Sequence, residues 1–200
     1  MSRKIDKRTL ETKKKIKEAV INQLQHHQSS EITVTDIATA CDINRNTFYI
    51  HYSSIADVLV DIEGELKKII TDNIAKHPIN AYIENPQLLI GMVARIFITS
   101  KNYGGLIFES NFSKYLTSSI ITELSNYLYQ EYKKVAPESD AATFFTIEFL
   151  VGGFFYSLKD WYHNRKDVTL EELMNRMDNI IKNGVAKTLD SFLIYSRRYN

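Results

Sequence analysis

Cysteine is almost absent: Cys41 stands alone in 200 residues. No intramolecular disulfide can form, and the paired cysteines of common zinc motifs are missing, so a reducing, cytoplasmic setting is expected. The five histidines, His26, His27, His51, His77 and His163, include no HExxH or comparable spacing. Glycine is also scarce, and its pairs Gly104-Gly105 and Gly152-Gly153 belong to no Walker or Rossmann phosphate loop. Neither a metal nor a cofactor is expected, and a helical enzyme is the reading with least support. Three prolines, seven glycines and few alternating patterns leave little material for turns and strands, which points to an all-α protein. The longest apolar run, Phe144 to Leu158, contains Glu148 and falls short of the roughly 20 residues that span a bilayer. It reads as a buried helix, so no membrane segment is expected. The N-terminus opens on charges rather than an apolar signal core.

Charge is present but unevenly spread. The first twenty residues hold eight basic and three acidic side chains, although the whole chain sums to +1. A basic arm on a mildly acidic body suits phosphate binding, and it also suits the solvated start of a helix.

Helical periodicity is clear from Thr9 to His27, where Ile16, Val20, Ile21 and Leu24 fall on one stripe. Short helices are predicted at Val34–Ala40 and Arg45–Tyr52, and a longer one at Ile55–Lys76. Their starts carry chemical signals: Thr33 with Asp36, Asn44, and Ser54 with Asp57 can each satisfy amides that a helix start leaves unpaired. His77-Pro78 closes the fourth helix, and the stretch to Asn85-Pro86 reads as a hinge. Pro86 opens a second, larger segment, interrupted at Tyr103-Gly104-Gly105. Further helices are predicted near Gly105–Asn111, Ser113–Lys134, Ser139–His163 and Leu170–Leu193, the last behind a Thr169/Glu172 capping box. The expected architecture has about nine helices: a head at 1–54, a long linking helix at 55–76 and a second helical domain at 77–200.

Within Ile32–Tyr52 the apolar positions fit a helix-turn-helix. Val34, Ile37 and Ala38 face inward from one short helix, Ile43 plugs the turn, and Phe48 and Tyr52 line the inner face of the other. Small Ala38 permits the two helices to cross closely. The outward residues of the second helix are Asn44, Arg45, Asn46, Thr47, Tyr49 and His51, and no acid occurs from Ile43 to Tyr52. Arginine and asparagine are shaped for bidentate contacts with guanine and adenine edges, while tyrosine and histidine can donate to phosphate. The bland alternative is an ordinary amphipathic helix with a polar outer face.

These residues resemble bacterial one-component regulators of the tetracycline-repressor (TetR) type. The resemblance rests on Ile32-Thr-Val-Thr-Asp-Ile-Ala38, the turn Cys41-Asp-Ile-Asn-Arg45 and the signature Thr47-Phe-Tyr-Ile-His-Tyr52, followed by Ser53-Ser54 and a long apolar helix. It covers about the first quarter of the chain. It implies a DNA-binding head in which Arg45, Asn46 and Thr47, with Asn44 at the helix start, approach bases. Thr33, Thr35, Tyr49 and His51 would then hold phosphates, with Lys4, Lys7 and Arg8 in an arm. It implies double-stranded DNA as partner, a homodimer, a small-molecule effector and a place on the bacterial nucleoid. Two positions depart from the pattern: Asp42 stands where the family commonly has glycine, and Ile55 where a phosphate-binding lysine is frequent.

The second segment is dense in aromatics, which can line an effector pocket or fill core and interface. The effector candidates are Phe97, Phe108, Phe112, Tyr115, Phe145, Glu148 and Phe149. Glu148, set among aromatics, needs a partner, either a ligand or a side chain such as Arg95. The dimer candidates are Gly152, Phe155, Tyr156, Leu173 and Ile180, because glycines inside a helix permit close approach of a second helix. A ligand-responsive repressor on a near-palindromic operator is the leading expectation. A coactivator working through a protein partner is the alternative that Ile55 suggests.

Overall fold

The computed structural model describes residues 7–99, 101–108, 110, 112–164 and 167–185. Among them there is no strand. Ten α-helices run in order: α1 Lys7–Leu24, α2 Val34–Ala40, α3 Arg45–His51, α4 Ile55–Ile74, α5 Ile79–Glu84, α6 Pro86–Thr99, α7 Lys101–Phe108, α8 Ser113–Val135, α9 Ala141–Asn164 and α10 Leu170–Ile180. A π-helical turn, Ile181–Val185, follows α10.

The helices divide into two compact units. One extends to Lys68 and includes α7 and the start of α8 as far as Leu116; the other takes up α4 at Ile69, continues through α6, and resumes at Thr117. This division places α7 with α1, whereas the sequence expectation keeps 77–200 together after a head at 1–54 and a linking helix at 55–76. The cause is α7, whose Leu106, Ile107 and Phe108 are buried and which packs on α1.

In the first unit, Ile16, Val20, Ile21 and Leu24 are all buried, as their spacing predicts. They form a floor on which α2 and α3 rest, and α2 and α3 also pack on each other. Ile37 and Ala38 of α2 and Phe48 of α3 complete this core, joined by Val58, Ile62 and Leu66 of α4. In the second unit the buried residues include Ile70, Ile74, Val93, Phe97, Leu124 and Phe155.

Two helical features differ from expectation. The stretch read as a hinge contains α5, which is stabilised where α4 ends: buried Tyr82 donates its hydroxyl to the Ile74 carbonyl at 2.8 Å, satisfying one of the carbonyls that a helix C-terminus leaves open. Gly104 and Gly105 lie inside α7, where the apolar residues that follow are buried and packing outweighs poor glycine propensity. Thr169 and Glu172 do form a reciprocal capping box, but α10 ends at Ile180. The remainder of the helix expected to reach Leu193 lies outside the described residues.

Helix α9 is 24 residues long, longer than its apolar run suggests, and by length and composition alone could cross a membrane. Its packing accounts for the composition in part. Val151, Phe155 and Leu158 are buried on one face, while Phe145, Phe149 and Tyr156 are exposed on another.

Candidate nucleic-acid interface and apolar cavity

The local structure around α2 and α3 follows from caps. Asp36 donates its amide to Thr33 Oγ1 at 3.2 Å, and the Thr33 amide donates back to Asp36 Oδ2 at 3.3 Å. The first helix of the motif is thereby fixed at its start. At its end, the Ile43 amide donates to the Ala38 carbonyl at 3.0 Å and the Asp42 amide to the Thr39 carbonyl at 3.1 Å. That pair of bonds is a Schellman motif, which places one residue in the left-handed region. Asp42 occupies that position with φ 53°, where glycine would fit without steric cost. Asn44 then caps α3, its Oδ1 accepting from the Thr47 amide at 2.7 Å and from the Thr47 hydroxyl at 3.0 Å.

Two of the expected base-reading side chains, Asn44 and Thr47, are thus engaged with each other. Arg45, Asn46 and Tyr49 are exposed on α3, whereas Phe48 is buried. Tyr49 stands edge-on to Phe48, with ring centroids 5.7 Å apart, so its orientation is set by the core beneath it. Thr33 and Thr35 are exposed at the start of α2, and Lys7 and Arg8 at the start of α1. Lys4 lies outside the described residues. His51 is half-buried; burial, and after it the charge of Lys13, lower its pKa from the ordinary 6.5 and so favour the neutral ring. A neutral imidazole can still donate one hydrogen bond to a phosphate oxygen.

Sequence reasoning missed Ile50. It is 78% exposed, one turn beyond Asn46 on the same outer face. An apolar side chain there matches the thymine methyl group, the apolar feature of the major groove. Its signal was a β-branched residue within an otherwise polar outward set.

A polar network anchors the end of α3. The Tyr52 hydroxyl donates to Asp61 Oδ2 of α4 at 2.6 Å. Lys13 and Lys17 of α1 each lie 3.8 Å from the same carboxylate, and Lys17 also pairs with Glu65. The Lys13 ammonium sits 4.8 Å from the centre of the Tyr52 ring. Burial, then the hydrogen bond to Asp61, pushes the Tyr52 phenol far above its ordinary range. Burial alone would raise the Asp61 carboxyl, but the Tyr52 hydrogen bond and the two lysines outweigh it and hold the group below its ordinary range. Part of the basic N-terminal segment is therefore spent inside the head, holding α1, α3 and α4 together.

The second unit contains a cavity of about 150 Å³. Ile83, Leu89, Ile90, Leu124, Leu128 and Leu150 contribute much of its wall, with Tyr82, Tyr132, Thr143 and Phe154. None of the seven expected effector residues lines it. Phe97 is buried against Phe155 with ring centroids 5.4 Å apart, while Phe145 and Phe149 are exposed and Glu148 is half-buried. Phe108, Phe112 and Tyr115 belong to the other unit, Phe108 buried in its core and Tyr115 exposed beside Phe112. Among the dimer candidates, Phe155 is corrected: it has no exposed surface and belongs to the core of its own chain. Tyr156 and Ile180 are exposed, and Gly152 and Leu173 half-buried. A Cβ added at Gly152 or Gly153 would meet nothing within 4 Å among the described residues, so no packing between those residues demands either glycine. Among the described residues no group of acidic, histidine or cysteine side chains could hold a metal ion.

No family model matches the sequence, and no curated protein does. Solved structures do match. A TetR transcriptional regulator from Streptococcus agalactiae superimposes with a TM-score of 0.65 at 23% identity, covering 88% of this chain and 96% of that one. The fatty acid degradation regulator FadR from Bacillus halodurans gives 0.62 at 16% identity, covering 86% and 95%. FadR from Thermus thermophilus, a TetR-family repressor in complex with lauroyl-CoA, gives 0.51 at 16% identity, covering 84% and 92%. The chain has the all-helical fold of TetR-type transcriptional regulators.

Proposed function

We propose that this protein is a dimeric, ligand-responsive transcriptional regulator that binds double-stranded DNA through α3. The observation that carries the reading is the outer face of α3. Arg45, Asn46, Tyr49 and Ile50 are exposed on a helix whose other side is anchored by Phe48, with no acid from Ile43 to Tyr52. Arg45 and Asn46 read base edges, and Tyr49, Thr35 and His51 donate to phosphates, whereas the Thr33 hydroxyl already donates to Asp36 Oδ2 at 2.6 Å and serves to fix the start of α2. Lys7, Arg8 and Lys4 add the charge of an arm. A two-fold dimer sets two such helices in successive major grooves, about one helical turn apart, on a near-palindromic operator.

The stripe of exposed Phe145, Phe149 and Tyr156 with half-buried Gly152 on α9, spaced by four, three and four residues, supports pairing with a second copy of this chain. The cavity of the second unit supports response to a small molecule, as does the lauroyl-CoA bound by a repressor of the same fold. A ligand that prefers one dimer shape would shift the population away from the DNA-competent spacing and release the operator.

Selection of bound sequences from a random DNA pool, followed by footprinting, tests the reading. Two-fold symmetric half-sites are expected. An asymmetric footprint, or no selected sequence, overturns it, and binding that requires a protein partner would favour the coactivator alternative.

A further inference from the structure

The second unit also has grooves lined by charged side chains, Arg95 in one and Lys76, His77 and Glu131 in another, and the apolar cavity differs from them by what its wall omits. Among the described residues, no carboxylate, ammonium, guanidinium or imidazole lines it. Its polar side chains are Tyr82, Tyr132 and Thr143, and two of these hydroxyls already donate. Tyr82 donates to the Ile74 carbonyl at 2.8 Å, and Thr143 to Asp140 Oδ1 at 3.2 Å. A hydroxyl oxygen that has donated can still accept one hydrogen bond. The rest of the wall is mostly branched aliphatic side chain, with Phe154 the other aromatic.

We propose that this half-open cavity takes an uncharged aliphatic ligand, one bearing at most a hydroxyl, in preference to anions and cations. The proposal rests on the regulatory reading above only for its consequence, release of DNA; binding itself rests on the wall. An alkyl chain gains from every methylene it removes from water, whereas an ion drawn against this wall would leave its hydration with no opposite charge to meet it. A hydroxyl loses least, because it can donate to an oxygen such as that of Tyr82 or Thr143.

Calorimetric titration of the full chain without DNA, using hexanol, octanol, octanoate and octyltrimethylammonium, tests this directly. Affinity is expected to rise about fourfold for each methylene from hexanol to octanol. Octanol should bind at least about tenfold more tightly than either octyl ion. Leu150→Lys, which adds an ammonium to the wall, should reverse the order in favour of octanoate. Ile147→Trp, which fills the space, should abolish octanol binding while the thermal melt stays cooperative. Equal affinity for octanol and octanoate would overturn the neutral-ligand reading. Octanol binding undiminished in Ile147→Trp would move the site elsewhere, and no binding of any alcohol would remove the cavity as a ligand site. Operator binding by the same ligand-free preparation is read separately by electrophoretic shift, so failure of the DNA reading and failure of this one remain distinguishable.

Discussion

Replacing Tyr52 by Phe removes one oxygen and tests whether the polar network holds the end of α3. The ring, its contact with Phe48 and its position beneath the Lys13 ammonium are retained. What is lost is a 2.6 Å hydrogen bond to an ionised acceptor, a class worth about 1.5–3 kcal/mol when both partners are shielded. Here the shielding is one-sided: Tyr52 is 6% exposed, but the Asp61 side chain is 38% exposed and keeps two lysines at 3.8 Å. Water and the lysines recover part of the loss, so destabilisation of about 1–2 kcal/mol is expected. Urea unfolding at fixed protein concentration, with unchanged m-value, would report it as a lower midpoint. The pH dependence supplies an independent signature. Asp61 is held below its ordinary 3.8 in the folded chain, so it stabilises above that value and the benefit disappears as pH falls through the folded pKa. The variant should therefore differ most from the parent at neutral pH and converge with it in acid. At the alkaline end the sign reverses: the folded phenol is held above its ordinary 10.0, and the parent alone loses this contribution as pH rises past that value. A midpoint unchanged at neutral pH, or a difference equally large at neutral and acid pH, would refute the assignment of stability to this bond.

Three further outcomes test other parts of the reading. Asn46→Ala should relax preference at one base pair of each half-site, by about 1–3 kcal/mol, whereas Tyr49→Ala should weaken all sequences alike; competition shifts against single-base variants separate the two, and an equal loss by both would defeat the division. Asp42→Gly should raise stability by about 0.5–1 kcal/mol, because it relieves a left-handed φ of 53° against the entropy that glycine adds to the unfolded chain; a lower urea midpoint would show that the Asp42 side chain contributes more than its backbone costs. Phe149→Glu should cost about 4 kcal/mol of dimer stability, since a two-fold interface repeats the loss of a side chain that is 77% exposed in the single chain; light scattering should then find monomer at concentrations where the parent is dimeric, and an unaltered dimer would remove α9 from the interface.

The head was legible because its information is local. Caps work across three residues, and Thr33 with Asp36 and Asn44 with Thr47 make the bonds their spacing promises. The inward residues Ile37, Ala38 and Phe48 are buried because a seven-residue helix has one apolar side to offer, and the pattern names it. The long helices α1, α4, α8 and α9 were legible for the same reason, to within a few residues at their ends. What local pattern could not supply was partnership between distant segments. Nothing in Tyr103-Gly104-Gly105 announces that its helix packs on α1, and nothing in Pro78–Asn85 announces that Tyr82 will cap α4.

The cavity shows the limit most sharply, because aromatic density was a poor guide to it. Large aromatic side chains fill space, and the expected effector residues went to cores or to surface: Phe97 lies against Phe155, Phe108 is fully packed, and Phe145 and Phe149 face outward. A void survives where side chains from separate helices fail to meet, so its wall is set by the spacing of α5, α6, α8 and α9, which no single segment encodes. Glu148 drew attention as a carboxylate among aromatics, yet it does not line the cavity, and the absence of charge is what gives that wall its chemistry. On α9 the same residues carry both outcomes. Neighbours separated by one position, Phe155 and Tyr156, fall on opposite sides, one inside the chain and the other 69% exposed. Among the described residues one apolar face of α9 is buried and the other is left exposed, beside two glycines that none of those residues approaches within 4 Å, and this uncovered face is what argues for a second copy.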